Sequence, residues 1–111
     1  MVAVTEESLR QLVEAIVREV DPEEVWLFGS RARGQAGEHS DIDLMVVQRD
    51  PFAERGRRWR QLSRLYDIAS QRRLPVDILV YSREEVDRLG NRAGHILGTV
   101  LAGGRRLYER S

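Results

Sequence analysis

The chain has 111 residues, 41% of them hydrophobic and 32% charged, with 18 basic and 18 acidic side chains and a formal net charge of zero, a composition that suits one globular domain over 1–111. It contains no cysteine and no lysine, which excludes disulfide frameworks, thiolate metal sites, a Walker-type phosphate lysine and a lysine nucleophile. No apolar run approaches the ~18 residues of a membrane span, and the start, Met1 to Glu7, lacks a basic region followed by an apolar core, so a cytoplasmic protein is expected.

Thr5 can cap a first helix in which Leu9, Leu12, Val13, Ile16, Val17 and Val20 form one stripe, and Asp21-Pro22 ends it. Val25 to Phe28 is a short apolar run stopped by Gly29 and reads as a buried strand. Ser30 to Gly37, rich in small and basic residues, reads as a turn with room for one helical turn. Asp41 to Val47 is the second strand, with Asp41, Asp43 and Met45 on one face and Ile42, Leu44 and Val46 on the other. A helix is predicted from Phe52 or Glu54 to Arg72, with Trp59, Leu62, Leu65, Tyr66 and Ala69 facing inward; Trp26 also reads as core. Val76 to Tyr81 is the third strand. Ser82 and Glu85 fit a capping box that opens another helix, and Asn91 can cap a further one through Ile96, Leu97, Val100 and Leu101. Gly103-Gly104 stops that helix, and Arg105 to Tyr108 adds a short edge strand. Alternating helices and strands predict an α/β (α+β) fold, a mixed sheet of three to four strands flanked by helices.

Charge is unevenly spread. Residues 1–25 carry seven acids against two arginines, and residues 49–73 carry eight arginines against three acids. Two solvated helix faces would account for this, as would a basic surface for an anionic partner. Arg55, Arg57, Arg58 and Arg60 could meet RNA, an acidic protein or water, and no aromatic residue in the pattern suggests a stacking platform. His39 and His95 are isolated and read as non-ligands.

Asp41 and Asp43, two apart on a strand, leave the same face with Cα atoms ~6.7 Å apart. Two carboxylates ~5 Å apart repel by roughly 3 kcal/mol at an effective dielectric of 20, which a fold tolerates when a cation sits between them or one is protonated. Oxygen ligands without His or Cys favour Mg²⁺ or Mn²⁺ over Zn²⁺. A solvated strand start with Asp41 capping a turn is the structural alternative. Asp77 lies in an apolar strand and points away from Val76, Ile78 and Val80; it could join the pair if the two strands are neighbours, or pair with an arginine. Gly29-Ser30 follows the first strand directly, and the backbone amides and hydroxyl of such a turn can hold phosphate oxygens, with Arg31 and Arg33 adding positive charge.

Leu27-Phe28-Gly29-Ser30-Arg31-Ala32-Arg33-Gly34 followed by Ser40-Asp41-Ile42-Asp43-Leu44 resembles the Gly-Ser-x10-Asp-x-Asp motif of the DNA polymerase β-like nucleotidyltransferase superfamily. The small size resembles its minimal nucleotidyltransferase (MNT) branch. Val76-Asp77-Ile78 matches the family's third acid, and the closing Gly104 to Glu109 is similar to family C-termini. The resemblance implies ATP as substrate, two Mg²⁺ ions (Mn²⁺ as a substitute) and AMP transfer to a hydroxyl. It also implies a HEPN-domain partner, an RNase toxin to which the MNT protein is the antitoxin. On that reading Asp41, Asp43 and Asp77 are the catalytic and metal-holding acids, and Gly29, Ser30, Arg31 and Arg33 contact the nucleotide. The expected acceptor is a tyrosine of a cognate HEPN toxin, as in a type VII-like toxin–antitoxin system. A non-catalytic module that occludes the toxin and a small-molecule nucleotidyltransferase are the competing readings. Arg31 or Arg33 could instead pair with Asp21, Glu23 or Glu24.

Overall fold

The structure, a computed structural model, describes residues 4–34, 37 and 41–111. Helix α1, Glu6–Val20, starts where the Thr5 hydroxyl accepts the Ser8 N–H at 3.0 Å and the Ser8 hydroxyl accepts the Thr5 N–H at 2.8 Å. This reciprocal cap satisfies two of the donors that a helix start leaves free. The helix stops at Asp21, which turns left-handed at φ 48° just before Pro22. Its inward stripe, Leu9, Leu12, Val13, Ala15 and Ile16, is buried.

Strand β1 (Glu24–Phe28) runs into a single helical turn, α2 (Gly29–Ala32). Strand β2 (Ile42–Gln48) follows, then helix α3 (Arg57–Ser70), strand β3 (Val76–Ser82), helices α4 (Arg83–Leu89) and α5 (Ile96–Gly103), and strand β4 (Arg105–Glu109). The sheet order is β3-β2-β1-β4. β2 and β3 are parallel, and both other pairings are antiparallel, so the sheet is mixed as expected. Strand alternation divides the interior in two. Ile42, Leu44 and Val46 join the larger core with α1 and α3, while Met45 and Val47 pack with Val86, Leu97 and Val100 of α4 and α5.

Helix α3 departs from its expected form. It begins at Arg57, because Gly56 sits at φ 80° and breaks the helical path before it. Leu62, Leu65 and Ala69 face the core, joined by Ile68, but Trp59 is 72% exposed and Tyr66 is 37% exposed. The reason is that α3 lies across the outer edge of β3 rather than squarely over the sheet. The Tyr66 hydroxyl accepts the Ile78 N–H at 3.0 Å, and Arg58 donates to the Val80 carbonyl at 2.7 Å and to the Glu85 carboxylate. The Arg58 guanidinium also stacks 4.3 Å from the Phe52 ring centroid. Arg58 is therefore a structural strap and not part of a free basic face.

The Ser82–Glu85 capping box forms as predicted. Asn91 does not cap α5; the His95 ring does, its Nδ1 accepting the Leu97 N–H at 3.1 Å. Ser40 and His39 lie outside the described residues.

Candidate active site

Pairing β2 with β3 in parallel puts Asp43 directly opposite Asp77, and the antiparallel partner of Asp43 on its other side is Phe28, the residue before Gly29. The start of β2, the start of β3 and the end of β1 thus meet at one end of the sheet. Asp43 and Asp77 lie on the face that carries Met45, Leu79 and Tyr81, since their neighbours Ile42, Leu44, Val76 and Ile78 belong to the opposite core. Asp41 stands one residue before β2, exposed, as is Asp77, whereas Asp43 is half-buried.

Gly29 completes the arrangement. Its φ is 71°, a left-handed value that favours glycine, and a Cβ built there would stand 2.2 Å from Oδ2 of Asp43. A side chain here would force the Asp43 carboxylate to move. Ser30 is the next residue, half-buried in the first turn of α2, and the residue before Gly29 gives that turn no side-chain cap.

The electrostatics follow from this crowding. Burial, then the charges of Asp77 and Asp41, push the Asp43 carboxyl above its ordinary value, and Arg33 partly offsets them. Three acids and one arginine therefore act on one another at this end of the sheet. Arg31 turns elsewhere: it donates to the Gly37 carbonyl at 3.0 Å and lines a depression with Thr5, Leu9 and Arg105 on the α1 side. Of the two arginines expected at the nucleotide, Arg33 lies close enough to Asp43 to act on its charge. Among the described residues the ion pairs of the acids proposed as alternative partners run to other arginines. Asp21 pairs with Arg110, Glu23 with Arg83 and Arg49, and Glu24 with Arg83 and Arg106. Asp77 has no ion pair among the described residues.

The donor set suits a hard divalent cation: carboxylate oxygens only, carrying repulsion that a cation would neutralise. The side chains are not gathered into a cage, however. Among the described residues no group of three His, Cys, Asp or Glu side chains stands where it could already hold a metal ion. Backbone register sets the three acids at one end of the sheet, and bare carboxylates have no reason to converge further.

Sequence reading missed one polar cluster. Glu24, only 8% exposed, accepts from the Trp26 indole at 2.8 Å and from Arg83 at 2.9 Å, and Arg83 also holds Glu23 at 2.9 Å. It lies at the far end of β1 and ties the sheet to α4, a structural role. The apolar run Val25 to Phe28 conceals it, because its cation, Arg83, is some 60 residues away in sequence.

Residues 9–95 match the family model of the nucleotidyltransferase domain, a span that takes in every acid and glycine of the candidate site. The chain belongs to this family. Within the nucleotidyltransferase domain family, it is 33% identical over 79 residues to the probable protein adenylyltransferase MntA of Haemophilus influenzae. That match covers 68% of this chain and 65% of the relative, so the chain spans just under two thirds of the curated protein's length. A structure assigned as a nucleotidyltransferase from Sulfolobus solfataricus superposes with a TM-score of 0.64 at 27% identity, over 94% of this chain and 79% of the other. A toxin–antitoxin structure solved with AMP-PNP superposes with a TM-score of 0.59 at 23% identity, over 92% and 74% of the two chains, a likeness of fold. Among the described residues no helix of this nucleotidyltransferase domain is long and apolar enough to cross a membrane.

Proposed function

We propose that this nucleotidyltransferase domain transfers AMP from ATP to a hydroxyl of a protein, a tyrosine of a HEPN toxin, and thereby acts as its antitoxin. The observation that carries the reading is the register of Asp43 against Asp77 beside a glycine where any Cβ would collide with the Asp43 carboxylate. A purely structural strand start gives no reason to collect like charges there. The name of the Haemophilus relative and the toxin–antitoxin neighbour support the choice of a protein acceptor.

In this reading Asp41, Asp43 and Asp77 would hold Mg²⁺, with Mn²⁺ as a substitute, and the ions would supply charge stabilisation to the departing pyrophosphate. The open Gly29–Ser30 turn offers backbone N–H groups and a hydroxyl to the phosphate oxygens of ATP, and Arg33 adds positive charge. The acceptor oxygen forms its bond to the α-phosphorus as the bond to the bridging oxygen breaks. The hydroxyl proton passes to Asp77, exposed and without an ion pair among the described residues.

The test is intact mass of the candidate toxin after incubation with this protein, ATP and Mg²⁺. Each transfer should add one AMP unit, and Asp43→Asn should add none. A toxin that is inhibited yet unmodified would overturn the transferase reading in favour of occlusion.

A further inference from the structure

Beyond the last residue of β2, at the opposite end of that strand from Asp43, a cleft of about 510 Å³ opens between the end of α1, the residues after β2 and one side of α3. Arg49, Arg57, Arg60, Arg64 and Arg110 line it, against only Asp21 and Asp50 as acids. Neighbouring acids offset part of this charge: Arg110 pairs with Asp21 and Arg49 with Glu23 at 3.8 Å. Glu54 is shared by Arg57 at 3.9 Å and Arg60 at 3.4 Å, all of them well exposed, and Arg64 donates to a backbone carbonyl, that of Glu19, at 2.5 Å. Exposed pairs of this kind exchange readily for other anions.

Beside the cleft, across the ridge made by Arg60 and Arg64, lies a shallow depression that holds the Trp59 indole, 72% exposed. Exposing a tryptophan that completely forgoes the burial of a large apolar surface. Here it stands next to guanidinium groups and open to solvent. A guanidinium-lined channel alongside an exposed aromatic ring is the chemistry that holds a single nucleic-acid strand, phosphates along the cations and a base on the ring. A protein-docking surface would centre on apolar residues, and the cleft's lining offers Val20 alone.

We propose that this cleft and Trp59 form a binding surface for single-stranded nucleic acid, separate from the carboxylate end of the sheet. It is independent of the transferase reading, since none of its residues belongs to that site.

The experiment is fluorescence anisotropy of a labelled 12-nucleotide single-stranded RNA, titrated with the protein in chelator at several salt concentrations. Binding should weaken steeply with salt. The triple variant Arg57→Ala, Arg60→Ala, Arg64→Ala should bind at least tenfold more weakly and with a shallower salt dependence. Trp59→Ala should weaken binding about 5- to 100-fold with the salt dependence unchanged. Asp43→Asn should bind as the parent does. Circular dichroism confirms that each variant is folded; these side chains are exposed, so they should be. Equal binding by the triple variant and the parent overturns the proposal. So does an RNA that fails to bind while the same substitutions abolish capture of the purified toxin, which would make the surface a protein interface.

Discussion

Asp43 is ionised at a cost. Burial and two neighbouring carboxylates raise its pKa, so the folded chain binds its proton more tightly than the unfolded chain does. The sign is then fixed: this group's contribution to stability is fully present below the ordinary carboxylate value of about 3.9 and is lost as pH rises through the raised one. Asp43→Asn removes the penalty. In chelator its thermal midpoint should equal or exceed that of the parent at pH 7, and the advantage should vanish near pH 4. With Mg²⁺ and ATP present, transfer should fall at least about 100-fold. A large drop in midpoint at pH 7 would mean that Asp43 is a structural partner instead. The pairing of Asp41 with Asp43 is legible in sequence because strand alternation is local. The contact of Gly29 with Asp43 is not, since it depends on how two strands meet 14 positions apart. The divergence of Arg31 from Arg33 is likewise invisible in a string where both are simply basic.

Helix α3 shows where periodicity stops being informative. Trp59, Leu62, Tyr66 and Ala69 recur at helical spacing, and hydrophobicity alone points all of them inward. Spacing defines a face but not the tilt of the helix on the sheet, and here α3 leans over an edge. Tyr66 and Arg58 then serve the outward backbone groups of β3, which closes an edge that would otherwise invite pairing with another chain. The two capping boxes, Thr5 with Ser8 and Ser82 with Glu85, each lie within one turn; the Ser–x–x–Glu pattern marks the second in sequence, while a serine at the third position leaves the first showing only its Thr5 cap. The cap of α5 falls four residues beyond the expected Asn91, on His95, because both side chains can accept an N–H. Arg58→Ala should destabilise the fold by about 2 kcal/mol, since it removes charge-assisted bonds from Val80 and Glu85 together. Denaturant unfolding measures this, and an unchanged midpoint would show the strap to be dispensable. Glu85 gives the same contact a pH signature. Burial would raise its pKa, but the hydrogen bonds from Arg58 and Ser82 outweigh burial and lower it. The stability it contributes is present above the ordinary carboxylate value and lost as pH falls through the lowered one, a loss that Arg58→Ala should reduce.

At the scale of the whole molecule, alternating patterns point to a layered α/β fold with three to four strands, and the structure has four, while the strand order and the parallel β2–β3 pairing come from tertiary packing. That pairing is what brings Asp77 to Asp43. It also lets α1 and α3 share one core on the same side of the sheet. The exposed acids of α1, Glu6, Glu7, Glu14 and Glu19, and the exposed arginines of α3, Arg57, Arg60 and Arg64, therefore form neighbouring stripes on the surface. Two copies turned by half a rotation would present each stripe to its opposite, and a net charge of zero with a pI near 6.7 leaves no overall repulsion to keep them apart. The protein should consequently salt in. Light scattering near pH 6.7 should detect self-association in dilute buffer and its reversal at about 0.15 M salt, where charges are screened beyond roughly 8 Å. Equal scattering at both salt levels would count against it. For anyone handling the protein, its worst solvent is then the one that looks gentlest: neutral, dilute and free of salt.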